Sequence, residues 1–177
     1  MYNSEVDFLN LLAFVPAYTH AGRVTRLHYP LWTAESDATV ASIARRACRE
    51  YSLDRRGLSN AARFVSGSPN MAPLPLRVDG TFFPVKTLKP RISGDSAYGY
   101  YLLQGIVRVE QSDTGSTIVM LGGTRFEVLQ TRSVVMNHIA RAVLFERIFW
   151  SRRLGSSYVG GKGRERCGTE NSREQDQ

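Results

Sequence analysis

The sequence predicts an α+β protein with a small, mainly antiparallel sheet of hairpins and two or three helices packed against it. Short runs of β-prone residues follow one another, separated by turns that contain glycine. Two longer segments repeat apolar residues with the period of a helix. Hydrophobic residues make up 42% of the 177 residues, which is enough for a buried core.

The first two strands are expected near the N-terminus. Leu11 to Tyr18 is an apolar run interrupted by one proline, and Val24 to Tyr29 alternates apolar and polar residues. The THAGR segment between them supplies a turn. His20 lies in that turn and His28 on the polar side of the second strand, and neither has a partner at the spacing of metal ligands. We therefore expect no metal site.

A helix is predicted from Ala38 to Tyr51, with its N-cap at Ser36-Asp37. Its apolar residues form one continuous stripe, and Cys48 lies on that stripe as a small core residue. The arginines of this helix fall on the solvent side. A short helical turn from Ser59 to Val65 follows.

A hairpin is predicted where Asp79-Gly80 separates Leu74–Val78 from Thr81–Val85. A proline cannot donate a hydrogen bond to a neighbouring strand, so Pro84 indicates an edge strand or a strand end. A longer strand, with a kink or bulge at Gly105, is expected from Tyr98 to Val109. The next hairpin has a Gly-Gly turn, and its parts are Ser116–Leu121, Gly122-Gly123 and Thr124–Leu129.

The last predicted element is a helix from Arg132 to Trp150, with Thr131 as its cap. Apolar residues cover much of its circumference, so we expect it to be mostly buried or to bury one side against another subunit. The composition changes after Trp150. Residues 1–150 are therefore predicted to form a single domain, and residues 151–177 a polar, disordered tail.

The charge is uneven along the chain. Lysine and arginine outnumber the acids by 23 to 16, giving a net charge of +7. This favours a polyanionic partner, nucleic acid before an anionic membrane surface, although a basic surface can also serve solubility alone. Between residues 41 and 63 two acids, Glu50 and Asp54, accompany six arginines, which are Arg45, Arg46, Arg49, Arg55, Arg56 and Arg63.

A second basic segment ends the stretch TFFPVKTLKPR, which runs from Thr81 to Arg91. Lys86, Lys89 and Arg91 lie in it without an acid among them. Lysines protect edge strands from pairing with other chains, and they also bind negatively charged partners. Both interpretations remain open from the sequence.

Known catalytic and nucleotide-binding motifs are absent from the sequence, so we expect no enzyme and no cofactor. Cys48 and Cys167 are predicted to be free thiols in a reducing compartment. No apolar run approaches the ~20 residues that span a bilayer, and the N-terminal segment is acidic. These features predict a cytoplasmic protein without a membrane partner.

Three segments carry a resemblance to a known family. They are MAPLPLRVDGTFFPVKT, SAYGYYLLQGIVRVEQ and TGSTIVMLGGTRFEVLQTRSVVMNHIARAVLFERIF. Their order and spacing resemble the ComK family, the bacterial competence transcription factors. FVPAYTHAGRVTRLHY and REYSLDRRGLSNAARFVSGS extend the resemblance, which spans most of Leu11 to Phe149.

The resemblance implies a sequence-specific DNA-binding activator of DNA-uptake genes. Such a protein recognises AT-rich promoter boxes, largely through the minor groove, as a dimer or a dimer of dimers. Double-stranded DNA and RNA polymerase are the implied partners, at the nucleoid in the cytoplasm. The apolar last helix would supply the dimer face. A basic adaptor that binds an acidic protein partner is the alternative.

The composition fits the implied mode of binding. Lysine occurs only at positions 86, 89 and 162, so the basic residues are mostly arginines. Arginine enters narrow AT-rich minor grooves more readily than lysine because its planar head is weakly hydrated. Arg141 could instead hydrogen-bond inside the protein and orient its helix. The candidate DNA contacts are Arg55, Arg56, Arg63, Lys86, Lys89, Arg91 and Arg141.

Overall fold

The computed structural model describes residues 6–66 and 72–155 and confirms the α+β class. The predicted tail beyond residue 155, including Cys167, lies outside the described residues. Strands in the described ranges form two antiparallel sheets. In chain order they are β1 (Ala13–Thr19), β2 (Gly22–His28), β3 (Thr33–Ser36), β4 (Leu74–Arg77), β5 (Gly80–Lys86), β6 (Tyr98–Leu102), β7 (Ile106–Ser112), β8 (Gly115–Met120) and β9 (Arg125–Val128). The helices are α1 (Val40–Glu50), α2 (Arg55–Ser66) and α3 (Arg132–Leu154).

The six-stranded sheet has the order β3-β2-β1-β6-β5-β4, and the smaller sheet has the order β7-β8-β9. Alternate residues of the six-stranded sheet point into two separate cores. Phe14 and Phe82 belong to the core under α1 and α2, on what we call the helix face. Val15 and Phe83 belong to the core shared with the smaller sheet. The larger sheet is therefore the middle layer of the protein.

The predicted edge position of Pro84 is wrong, because β5 lies between β4 and β6. The proline is tolerated because β4 pairs only with the first residues of β5, as far as Phe82. On the side away from β6, the Lys86 backbone N–H donates to the Gln130 Oε1 and the Lys86 carbonyl accepts the Leu129 N–H. Backbone nitrogens two residues apart in a strand point to the same side, so the ring nitrogen of Pro84 also faces away from β6. The strand β4 does not extend along β5 as far as Pro84.

The single strand predicted from Tyr98 to Val109 is also wrong. The segment forms β6 in the larger sheet and β7 in the smaller one, separated by a 3₁₀ turn at Leu103–Gly105. The expected bend does occur at Gly105. A Cβ there would lie 2.9 Å from the Met120 Cε, the flexible end of a side chain that would have to shift.

Several predicted boundaries shift by a few residues. The N-cap of α1 is Thr39, whose Oγ1 accepts the Ser42 N–H at 3.0 Å, and the predicted Ser36-Asp37 cap is wrong. Ser36 instead accepts the Ala38 N–H in the preceding turn. The helical turn expected from residue 59 is a full helix that begins at Arg55. The hairpin after β4 is confirmed, with its turn one residue earlier than predicted.

The expectation that α3 is mostly buried is not met within the described chain. Its buried side chains are Val135, Ala142 and Phe145. The side chains of Met136, Val143 and Leu144 are 41%, 45% and 51% exposed. Burial of this side against another subunit stays a prediction. The helix also continues to Leu154, four residues into the predicted tail.

His28 predicts how the stability of the protein depends on pH. Its ring meets the ring of Phe126 edge-on at a centroid distance of 4.7 Å. Burial, aided by the charge of Arg26, lowers the pKa of His28 from 6.5 to about 4. Between these values the unfolded chain binds a proton that the folded chain does not, so stability falls as the pH falls. We expect a loss of about 1–2 kcal/mol from this residue, after allowance for partial solvent screening.

Urea unfolding at pH 7 and pH 4.5 measures this loss. The His28→Gln variant should show a smaller difference between the two pH values than the parent protein. The exposed residue His20 offers the control, because His20→Gln should leave the difference unchanged. An equal pH difference in the parent protein and in His28→Gln would contradict the assignment. Burial also lowers the pKa of His138, so part of the difference should remain in the variant.

Candidate nucleic-acid interface

The solvent side of α1 carries two arginines one turn apart. The buried stripe of this helix consists of Val40, Ile43, Ala44, Ala47 and Cys48, as the periodicity predicts. Arg45 and Arg49 therefore lie on the opposite side and are exposed. The Arg45 Nη2 donates to the Ser42 Oγ at 3.1 Å, which directs this guanidinium along the helix.

Two exposed arginines also lie along α2. Leu58 and Ala62 are buried, and Arg56 and Arg63 are exposed on the outer side of the helix. Seven residues separate the two arginines, so they share one side of the helix about 10 Å apart along its axis. Asp54 precedes the helix, and its carboxylate accepts the Arg56 backbone N–H at 2.9 Å. This hydrogen bond holds the Asp54 carboxylate at the N-terminus of α2.

Arg55 differs from its neighbours because it is half-buried against β6. Its Nη2 donates to the Tyr100 hydroxyl at 3.2 Å, and its guanidinium carbon lies 5.9 Å from the centroid of that ring. Burial acts to lower the pKa of Arg55, but its contacts with Tyr100 and Cys48 outweigh burial and raise the pKa. The side chain is thus a permanent cation. Its Nη1 is buried and has no hydrogen-bond partner among the described residues.

The arginines of α1 and Arg55 meet at a cleft between α1 and the start of α2. The cleft has a volume of about 540 Å³ and is lined by Ser42, Arg45, Cys48, Arg49, Leu53, Asp54 and Arg55. Burial raises the pKa of the Cys48 thiol, so this cysteine is a neutral part of the wall. The sequence prediction did not include Arg45 and Arg49 among the contacts, although the charge imbalance of residues 41–63 pointed to them.

The predicted basic loop is the connection from β5 to β6, and it is attached to β1. Lys86 ends β5, and Lys89 and Arg91 are exposed in the loop. The Arg91 backbone N–H donates to the Tyr18 hydroxyl at 2.9 Å, and that hydroxyl donates to Asp95 at 2.6 Å. The guanidinium carbon of Arg91 lies 4.9 Å from the centroid of the Tyr18 ring. These contacts hold Arg91 in place without neutralising it.

Arg141 is an exposed residue of α3, three positions after His138. The Lys86 backbone N–H donates to the Gln130 Oε1 at 2.9 Å, and the Gln130 Nε2 lies 3.4 Å from the His138 Nε2. The pKa of His138 is lowered by burial and, to a smaller extent, by the charge of Arg141. Gln130 therefore lies between the Lys86 backbone and His138, and the charge of Arg141 acts on His138. The predicted internal role of Arg141 stays a prediction.

Most of the predicted contacts share the helix face. Tyr98 pairs with Lys86 in the sheet and lies two residues before Tyr100. The Tyr100 hydroxyl accepts the hydrogen bond from Arg55. Lys86 and Arg55 are therefore offset by roughly 7 Å along the strands and one strand across. By the same alternation Tyr18, whose ring contacts Arg91, lies on the same face of the sheet as Phe14, which is the helix face. Arg56 and Arg63 belong to the helix layer, whereas Arg141 belongs to α3.

In the described part of the chain, the arginines of α1 and α2 lack acidic partners, as do Arg132, Arg147, Arg152 and Arg153 of α3. Within residues 6–66 and 72–155, no carboxylate lies within salt-bridge distance of them. The arginines that do form salt bridges are elsewhere. Those pairs are Arg23–Asp95, Arg26–Glu35, Arg77–Asp79, Arg108–Glu110 and Arg125–Glu110. Among the described residues, these salt-bridged arginines thus lie on strands, whereas those of α1 and α2 form no salt bridge.

No family model, curated protein or solved structure matches this chain. The resemblance to the ComK family therefore stays a prediction. In the described part of the chain no helix is long and apolar enough to cross a membrane. The same residues contain no group of three or more His, Cys, Asp or Glu side chains able to hold a metal ion.

Proposed function

We propose that this protein is a DNA-binding transcription activator of the ComK type, which recognises AT-rich promoter boxes. The supporting observation is the group of arginines that α1 and α2 carry on one layer of the fold. Those of α1 and α2 have no salt-bridge partner among the described residues, whereas Arg26, Arg108 and Arg125 do. Unpaired guanidinium groups on one layer of the fold are what a polyanion binds.

A duplex offers these groups regularly spaced phosphates. Each phosphate that an arginine neutralises releases condensed counterions into the solution. The entropy gained by this release favours binding at low salt and does not depend on base contacts. AT-rich sequences narrow the minor groove and deepen its negative potential, which favours insertion of arginine. Arg56 and Arg63 are exposed and belong to a rigid helix. They are the residues best placed to follow a phosphate backbone.

The proposal includes a homo-oligomer. Met136, Val143 and Leu144 form an exposed apolar side of α3, and a second copy of the chain would remove them from water. A two-fold dimer would bind two AT-rich boxes with one symmetric surface. RNA polymerase would be a further partner at the promoter, within the cytoplasmic nucleoid.

A binding titration of the full chain tests the DNA-binding function. We expect tighter binding to an AT-rich duplex than to a GC-rich duplex of equal length. We also expect log K to fall with log salt by about 0.9 for each phosphate neutralised, because counterion release drives the association. A titration with neither a salt slope nor a preference for the AT-rich duplex would contradict the proposal. Competition by an acidic peptide, without any effect of DNA sequence, would favour the adaptor instead.

The same assay with two AT-rich boxes tests the oligomer. Affinity should rise and fall as the distance between the boxes changes by half a helical turn, because a rigid dimer reaches only one side of the duplex. Affinity that does not depend on spacing would leave single-site DNA binding intact and remove the dimer from the proposal.

A further inference from the structure

The cleft between α1 and α2 gathers three arginines. Arg45 and Arg49 line it from α1, and Arg55 lines it at the start of α2. Within the described ranges none of the three has a carboxylate at salt-bridge distance. Like charges held close together repel one another, so an anion that binds among them is stabilised by all three. The ligand that fits this cleft is therefore an anion with several oxygen acceptors.

The charge of the cleft limits what can bind there. Arg45, Arg49 and Arg55 contribute three positive charges, and Asp54 contributes one negative charge, which leaves a net charge of +2. The Asp54 carboxylate is turned toward α2, where it accepts the Arg56 N–H. A phosphomonoester carries a charge of about −1.5 to −2 at neutral pH and has three free oxygens. A single carboxylate would leave about half of the charge unbalanced.

The size of the cleft indicates more than a phosphate group. Its volume of about 540 Å³ lies within the range of small-molecule sites. Leu53 gives the wall an apolar part, and the Ser42 hydroxyl adds a polar group near the arginines. The body of an organic phosphate would therefore find both kinds of surface beside its charged end.

We propose that this cleft binds a small organic phosphomonoester, with its phosphate on Arg45, Arg49 and Arg55. This inference goes beyond the DNA-binding function, because its ligand is a free small molecule. A phosphodiester in a duplex carries one charge and has two free oxygens, so it matches the cleft less well than a monoester does. In this arrangement Arg45 and Arg49 contact the phosphate from α1, and Arg55 contacts it from the start of α2.

Calorimetric titration of the full chain, without DNA, tests the inference. The probes are AMP, glucose 6-phosphate and inorganic phosphate, with adenosine and glucose as dephosphorylated controls. We expect at least one of the two esters to bind tenfold or more tightly than its control and than inorganic phosphate. The two esters distinguish a nucleotide site from a sugar phosphate site. Inorganic phosphate binding as tightly as both esters, or no binding of any probe, would overturn the inference.

Variants locate the binding in the cleft. Arg45→Gln with Arg49→Gln should weaken binding of the preferred ester at least tenfold. These side chains are exposed, so the variant should retain its thermal stability. Arg108→Gln with Arg125→Gln removes the same charge elsewhere and should leave the affinity unchanged. The more conservative Arg55→Lys retains one cation but loses the planar fork, and it should also weaken binding.

Equal losses in the α1 variant and in the Arg108 and Arg125 variant would overturn the inference, because they would show a response to net charge alone. Failure of the DNA titration would not affect this result, since no DNA is present in the calorimeter. The two proposals can therefore fail separately.

Discussion

Replacing Arg56 and Arg63 by glutamine is expected to lower the affinity for an AT-rich duplex by about a hundredfold or more. A hydrogen bond to a charged group contributes about 1.5 kcal/mol or more, and each arginine offers one such contact to a phosphate. Both side chains are exposed, and neither has a salt-bridge partner among the described residues. The variant should therefore remain folded while it loses DNA affinity.

The salt dependence gives this prediction a second measurement. Loss of two phosphate contacts should reduce the slope of log K against log salt by about 1.8. Arg108→Gln with Arg125→Gln is the matched control, because it also removes two positive charges but from residues paired with Glu110. We expect the control to change affinity by less than threefold. An equal loss of affinity in both variants would show that DNA binding depends only on net charge. That result would contradict a defined binding surface on α2.

Alanine at Gly115 is expected to lower the free energy of unfolding by about 3 kcal/mol or more. A Cβ at this position would lie 2.1 Å from the backbone oxygen of Val128 in the neighbouring strand β9. Backbone cannot move aside as a flexible side chain can, so β8 and β9 would have to separate. Their inward residues Ile118 and Phe126 would then lose packing in the shared core. Urea unfolding followed by circular dichroism measures the loss.

Gly123→Ala is the control for this substitution. Gly123 has a φ of +82° in the turn before β9, and no atom lies within 4 Å of a Cβ built there. Its replacement should cost only the backbone strain of a left-handed residue, about 1–2 kcal/mol. If the two alanine variants lost equal stability, the close approach of Val128 would not be the reason for glycine at position 115.

Local patterns in the sequence determined those elements whose structure depends on neighbouring residues. The apolar stripe of α1 placed Cys48 inside, because a helix repeats every 3.6 residues wherever it packs. Asp79-Gly80 and Gly122-Gly123 located the two hairpins, because such residues favour turns. The details differ, since the first turn consists of Val78 and Asp79, and the second connection includes Leu121 beside the two glycines. The uneven charge of residues 41–63 was also visible, because charge is a property of composition.

Only the tertiary structure decided what the arginines contact. Arg55 is held by Tyr100, a residue 45 positions away, and the cleft exists because α1 and α2 cover the same sheet. Periodicity carries no information about such distant partners. The division of Tyr98–Val109 between two sheets has the same origin, because either half is a good strand alone. Packing against different neighbours, rather than local preference, determines which sheet each half joins.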